Sequence, residues 1–232
     1  MADNIIPIVV ISDRVIFNEE KLSQFENFTL EDTKLLFATL LFNLVENFNS
    51  DNVSLELIVH LSKEDEQQFS VETEKLNFQN LKTFFYEKLP DAAFLFDKLK
   101  NKKQAIILYA DVMGVSANSI KEILNLLNSD DNTIVIGISK ESSVCFVGSN
   151  HINENLNNAI NNSHRDYAKL LSLLKAEEHF IHTLNGFLRV HNKTTFKELY
   201  DDLSQKKSIE YCSQEMHEKF THLFVEYKDL LQ

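Results

Sequence analysis

Short apolar runs rich in β-branched residues alternate with amphipathic stretches along the first two-thirds of the chain. Residues 5–11 form a run of the kind that marks a strand buried on both faces. The period then changes. Thr29 stands where a helix N-cap belongs, Glu31 and Asp32 give an acidic first turn, and Leu36, Leu40, Leu41, Leu44, Val45 and Phe48 recur at helical spacing. After a polar loop at 49–52, residues 53–61 alternate as a second strand. Residues 62–80 are polar and irregular, and 81–99 predict a helix interrupted or restarted near Pro90. Residues 104–110 read as a buried strand ending at Asp111. A helix over 116–128 carries Ile120, Ile123, Leu124 and Leu127 on one face, and two strands, 133–138 and 144–147, flank the polar stretch 139–143. Beyond Asn150 the pattern predicts helices at 153–160, 163–182, 195–206 and 213–231.

Strand and helix alternating in this way predict an α/β fold, a three-layer α/β/α sandwich around a mostly parallel sheet. No Pro/Gly-rich linker interrupts the chain, so residues 1–232 are expected to form a single domain, with an α/β core at 1–150 and a mostly helical extension at 151–232. Parallel sheets of this kind place ligands at the carboxyl ends of their strands. Here that means the loops after Ile11, Leu61 and Ala110.

Composition narrows the classes of function. At 232 residues and 44% hydrophobic, with 18 Phe and no Trp, the chain can bury a large aromatic core. A formal net charge of -12 argues against a nucleic-acid backbone as partner. The densest basic group, Lys100, Lys102 and Lys103, reads as a solvated helix end. Cys145 sits in an apolar run and Cys212 in a polar helical one, which suggests neither a disulfide framework nor a zinc site and fits a reducing cytoplasm. The N-terminal apolar run is led by Asp3 rather than a basic stretch and reads as a strand, and no segment has the length of a membrane span.

Few residues carry the pattern of a reaction. Asp111, a carboxylate ending a buried strand, stands where doubly wound enzymes hold a metal, and Glu141 between two later strands could complete a carboxylate pair. Each could equally be a strand-end or hairpin charge. Asp13 and Arg14 follow the first strand and could touch a ligand or pair on the rim. Four scattered glycines exclude a glycine-rich phosphate loop. His179 and His182, three apart in the expected helix, lack an identifiable third ligand. Met216, Phe220, Leu223, Phe224, Tyr227 and Leu231 give the last helix an apolar face for the core or for a partner.

The segment from Ala105 to Gly148 resembles the GT-A-like nucleotide-diphospho-sugar transferase superfamily. The similar branch is that of small bacterial glycosyltransferase-like proteins related to phospholactate and molybdenum-cofactor guanylyltransferases. In that branch an apolar strand ends in Gly-x-Asp-x-Pro, and a helix and a short strand lead to Gly-Pro-x-x-Asp-Gly-Gly-Tyr. This chain has Ile-Ile-Leu-Tyr-Ala-Asp111, a helix to Leu127, Thr-Ile-Val-Ile-Gly137 and Glu141-Ser-Ser-Val-Cys-Phe-Val-Gly148. The resemblance places Asp111 on the metal-binding aspartate and Glu141 on the second acid, with Ser142 and Ser143 replacing paired glycines. In the family's phosphate-gripping loop after strand one, only Lys21 survives, and Ser23 stands at the arginine position. Asp13 opens that loop, and Gln79 remains from the middle motif. The resemblance implies a GT-A-like, Rossmann-like fold, a nucleotide or nucleotide-sugar ligand, and magnesium or manganese for an active member. Glu19 and Glu20 would repel phosphate from the loop. Two readings follow. One is a scaffold with eroded nucleotide-binding motifs that serves as an interaction or regulatory module, with a protein partner or as a homo-oligomer. The other is a metal-dependent glycosyltransferase or nucleotidyltransferase. The five apolar residues of 13–25 are expected to turn inward over the cleft or meet another chain.

Overall fold

The computed structural model describes residues 5–48, 55–76, 81–87, 98–175 and 178–232. The first apolar run forms β1 (Ile6–Ile11), buried along almost all its length. It lies between β2 (Leu55–Ser62) and β4 (Ala105–Tyr109), parallel to both, and β3 (Lys82–Tyr86) extends the parallel set beyond β2. On the far side of β4 the direction reverses. β7 (Val144–Ser149) pairs antiparallel with β4, and β6 (Thr133–Ser139) pairs antiparallel with β7. β8 (Phe180–Arg189) runs parallel to β6 and ends against the short β5 (Val112–Met113). The described strands thus form one sheet in the order β3-β2-β1-β4-β7-β6-β8-β5. The strands read at 5–11, 53–61, 104–110, 133–138 and 144–147 all lie in it, within the mostly parallel α/β architecture that the alternating pattern predicted.

The helices are α1 (Leu30–Phe48), α2 (Glu66–Leu76), α3 (Ala117–Leu127), α4 (Glu154–Ser163), α5 (Tyr167–Leu174), α6 (Lys193–Leu203) and α7 (Gln214–Glu226). Thr29 caps α1 as its sequence suggested: its hydroxyl accepts the Asp32 N–H at 3.0 Å. Ser116 caps α3 in a capping box with Ser119, and Ile120, Ile123 and Leu127 are the buried face. The last helix packs inward through Met216, Phe220, Leu223 and Phe224. Just beyond it, Tyr227 stacks on Phe28 at 3.7 Å between ring centroids, which ties the chain's last turns to the start of α1.

Three expectations are corrected. Residues 82–86, taken with 81–99 as helical, form β3; Thr83, Phe84 and Phe85 suit a pleated edge and pair with β2. The rest of that expected helix up to residue 97, Pro90 included, lies outside the described residues from 88 onward. The polar stretch read as irregular contains α2, held to the core by Phe69, which is 2% exposed. The predicted helix over 163–182 stops at Leu174, and β8 takes over at Phe180. Tertiary pairing with β6 decides that segment against its local helical period.

One glycine is fixed by a close approach. A Cβ on Gly137 would lie 2.0 Å from the ring of Phe146, its cross-strand neighbour, and that ring is itself held edge-on by Phe187 at 4.8 Å. We expect Gly137→Ala to destabilise the fold by about 1–3 kcal/mol through overpacking. A urea midpoint equal to wild type would refute this.

Candidate functional site: an arginine–aspartate cluster at the strand ends

β1 and β4 run side by side, with Ile11 opposite Tyr109, and the Ala110 N–H donates to the Ile11 carbonyl at 2.8 Å. Both strands therefore release their next residues on the same edge. Asp13 follows one strand and Asp111 the other, and a single guanidinium joins them. Arg165 donates through Nη1 and Nη2 to the two Asp111 carboxylate oxygens at 2.8 and 2.7 Å, a two-pronged pairing. The same Nη1 reaches Asp13 at 3.1 Å. Asp111 is 4% exposed and Arg165 5%, so the pair is closed off from solvent.

Arg165 is delivered by an unusual backbone. His164 and Arg165 both adopt left-handed conformations, with φ of 51° and 65°, at the C-terminus of α4. Neither is glycine, so the surroundings must hold the turn in place. They do so from several sides. The Arg165 carbonyl accepts the Val144 N–H at 2.8 Å, its Nε donates to the Val144 carbonyl at 3.1 Å, and its guanidinium lies 3.9 Å from the Tyr109 ring centroid.

The remaining arginines complete the cluster. β8 ends beside Asp111, whose carbonyl accepts the Val190 N–H at 2.8 Å. From there Arg189 Nε donates to Asp111 at 3.3 Å, while its Nη2 stands 3.9 Å from Asp13. Arg14 packs its guanidinium over Phe37 at 3.9 Å and keeps Nε 4.0 Å from Asp13. These are the three arginines of the whole chain, among 23 basic residues. Lysine serves the rest of the surface, and every planar fork has been placed at this one point.

The electrostatics follow from the geometry. Burial alone would raise the Asp111 pKa, but Arg165, by charge and hydrogen bonds, then Arg189 and Arg14, outweigh it and hold the carboxyl down at about 2. Burial likewise pulls against the charge of Arg165, and Asp111 more than restores it, raising its pKa further above the ordinary value. Tyr109 beneath it is pushed up to about 12, chiefly by burial.

The loop after β1 has turned inward. Ile16, Phe17, Leu22 and Phe25 are buried and Val15 is half-buried. Phe17 packs between Phe42 and Phe69, at 5.7 and 5.3 Å between centroids. Asp65, just past the end of β2 and fully buried, directs its carboxylate into the loop's backbone. Oδ1 accepts the N–H groups of Ile16, Phe17 and Asn18 at 3.1, 2.7 and 3.2 Å, and Oδ2 accepts that of Ile16 at 3.1 Å. Successive amides converging in this way form an anion-binding nest, and here the anion is the protein's own side chain.

Among the described residues, the other residues singled out from sequence make no ion pair with this cluster. Glu141 faces His191, with 3.4 Å between Oε2 and the ring nitrogen. Lys21 is exposed on the β1 loop, and Gln79 lies outside the described residues. His182 is in β8 and His179 just before it, so the helical histidine pair does not exist. A divalent ion needs carboxylate oxygens whose lone pairs face it. Those of Asp111 face two guanidiniums, and among the described residues no group of three His, Cys, Asp or Glu side chains could hold a metal ion. The Asp111 and Glu141 carboxylates as folded do not fit a bound magnesium or manganese. Arg165, Arg189 and Asp65 are the residues sequence reasoning missed. Only the scarcity of arginine could have pointed to the first two.

The fold is a Rossmann-like α/β scaffold, with this charged cluster at the carboxyl ends of the adjacent parallel strands β1 and β4. Solved structures carry the same fold. A nucleotide-diphospho-sugar-transferase-like protein from Desulfovibrio desulfuricans matches with a TM-score of 0.69 at 11% identity, covering 97% of this chain and 96% of that one. A cytidylyltransferase from Leptospira borgpetersenii matches with a TM-score of 0.53 at 9% identity, over 99% and 97%. The 4-diphosphocytidyl-2C-methyl-D-erythritol synthase of Anaerococcus prevotii matches with a TM-score of 0.51 at 12% identity, over 95% and 97%. No family profile and no curated protein matches the sequence. Among the described residues no helix is long and apolar enough to cross a membrane.

Proposed function

We propose that this chain is a GT-A-like module that works by binding rather than by metal-dependent group transfer, with an interaction or regulatory role. The observation that carries this reading is the embrace of Asp111 by Arg165 and Arg189. Two guanidiniums supply the positive charge that a divalent ion would bring, and they take the lone pairs such an ion would need. The β1 loop supports the same reading, since its nest is filled by Asp65 and its apolar side chains are buried.

The experiment is a thermal-shift and turnover screen of nucleotide-sugars and nucleoside triphosphates, with manganese and with EDTA. We expect no manganese-dependent shift in melting temperature and no release of nucleotide or pyrophosphate. A native-state ligand raises the melting temperature by mass action. A shift that needs both manganese and nucleotide-sugar, with turnover, would overturn the proposal.

The second reading, a glycosyltransferase or nucleotidyltransferase using a nucleotide-activated donor, is favoured by the end-to-end likeness to a nucleotide-diphospho-sugar-transferase-like protein. Under it Lys21 and Asp13 would meet the donor phosphates, and Asp111 and Glu141 the metal. It requires Arg165 and Arg189 to leave Asp111 first.

A further inference from the structure

We propose that Arg14, Arg165 and Arg189 form a metal-independent binding site for a phosphate-type anion, in which the Asp13 carboxylate occupies the place of the incoming group. The proposal deepens the binding-module reading by naming the chemical class of its ligand.

The cluster divides into a floor and a rim. Asp111 and Arg165 are the floor: buried, joined by two short hydrogen bonds, and neutral as a pair. The rim is partly open, with side-chain exposures of 25% for Arg14, 20% for Arg189 and 31% for Asp13. Two cations and one anion leave the rim with surplus positive charge, in a protein whose net charge is -12. Locally surplus positive charge on an acidic molecule favours small anions that reach past the surrounding field.

Asp13 satisfies this rim poorly. Among the described residues its carboxylate makes one hydrogen bond, to Arg165 at 3.1 Å, and stands 3.9 Å from Arg189 and 4.0 Å from Arg14. Arg14 Nε is buried and has no hydrogen-bond partner among the described residues. A planar carboxylate has two oxygens for three forks. A phosphoryl group has three or more oxygens in a tetrahedral array and a second negative charge, and guanidinium forks match it two-pronged. Its position, at the carboxyl ends of adjacent parallel strands, is where open α/β sheets hold ligands. Asp13 can leave because it is the exposed member and Arg165 keeps Asp111.

The same phosphoryl chemistry could come from inorganic pyrophosphate, a nucleoside diphosphate or a sugar phosphate. The test is calorimetric titration of the full chain, in EDTA at low salt, with pyrophosphate, nucleoside diphosphates and a hexose 1-phosphate. We expect pyrophosphate to bind without metal and more weakly as salt rises. Arg14→Gln should weaken it by roughly tenfold or more while leaving the melting temperature near wild type. Arg189→Gln should act in the same direction, and Asp13→Asn should tighten binding by removing the internal competitor. Tighter binding of a nucleoside diphosphate or a hexose 1-phosphate than of pyrophosphate would identify the source and support the site. No heat from wild type and Asp13→Asn at millimolar ligand, or binding that Arg14→Gln leaves unchanged, would overturn the proposal. Binding that appears only with manganese would overturn it too. Turnover with manganese, by contrast, would defeat the binding-module reading while metal-free binding remained separately measurable.

Discussion

Replacing Arg165 with Met is expected to destabilise the protein by about 3–5 kcal/mol, because it strands a buried carboxylate whose two oxygens were both satisfied by the guanidinium. Asp111→Leu alone should also destabilise, but by less, since Arg165 loses two hydrogen bonds in a closed site yet keeps Asp13 as a counterion at 3.1 Å. The double variant Asp111→Leu/Arg165→Met should recover much of the loss, since apolar side chains of similar volume avoid the desolvation of both ions. Urea denaturation of the three variants measures this. Additive losses in the double variant would show that the pair is not coupled. The pH dependence has a definite sign. The Asp111 pKa falls from the ordinary 3.8 to about 2 on folding. Its contribution, about 2 kcal/mol, is therefore fully present above pH 4 and is lost as the pH falls through the folded value.

Asp65→Ala is expected to cost about 3 kcal/mol, since three consecutive amides, two of them buried and one half-buried, lose their acceptor together. Asp65→Asn should cost much less, because Oδ1 alone accepts from all three residues and an amide oxygen can take its place. Equal losses for Ala and Asn, measured by urea denaturation, would show that charge rather than acceptor geometry holds the loop. Asp65 titrates with the opposite sign to Asp111. Burial raises its pKa, and the amide hydrogen bonds pull it back only in part. Its contribution is present below the ordinary carboxylate value and is lost as the pH rises through the raised one. In acid the two aspartates thus act against each other.

The scaffold was legible because burial on two faces leaves a mark in sequence. The runs that became β1, β4 and β6 could hardly be anything but strands, and Ser116 and Thr29 marked the starts of their helices. β8 was not legible, since nothing local in Phe180–Arg189 announces that β6 presents an open edge for it. The candidate site divided in the same way. Asp13 and Asp111 could be found, because each follows a recognisable strand and the sheet brings strand ends together. Their partners could not. Arg165 acts through a left-handed turn after a helix, Arg189 through a strand that carried no strand signal and whose first three residues were read as helix, and Asp65 through a single turn of tight helix. Each depends on where a distant backbone turns, and that is written across the whole chain rather than at any one position. The missing arginine and glycines of the β1 loop were visible, but not the carboxylate that took the anion's place.

The spread of the cluster along the chain has a consequence for biogenesis. Asp13 and Asp111 emerge from the ribosome well before Arg165 and Arg189, and the Asp13–Arg165 contact joins positions 152 apart in the chain. A nascent protein holding β1, β2 and β4 already has the parallel half of its sheet, yet Asp111 then lacks both guanidiniums that hydrogen-bond it in the folded protein. The edge carrying both aspartates should stay hydrated until α4 and β8 arrive, which makes the last third of synthesis the step that commits the fold. Nascent chains arrested before residue 163 should be cleaved rapidly by protease near Asp111, and chains released after β8 should resist it.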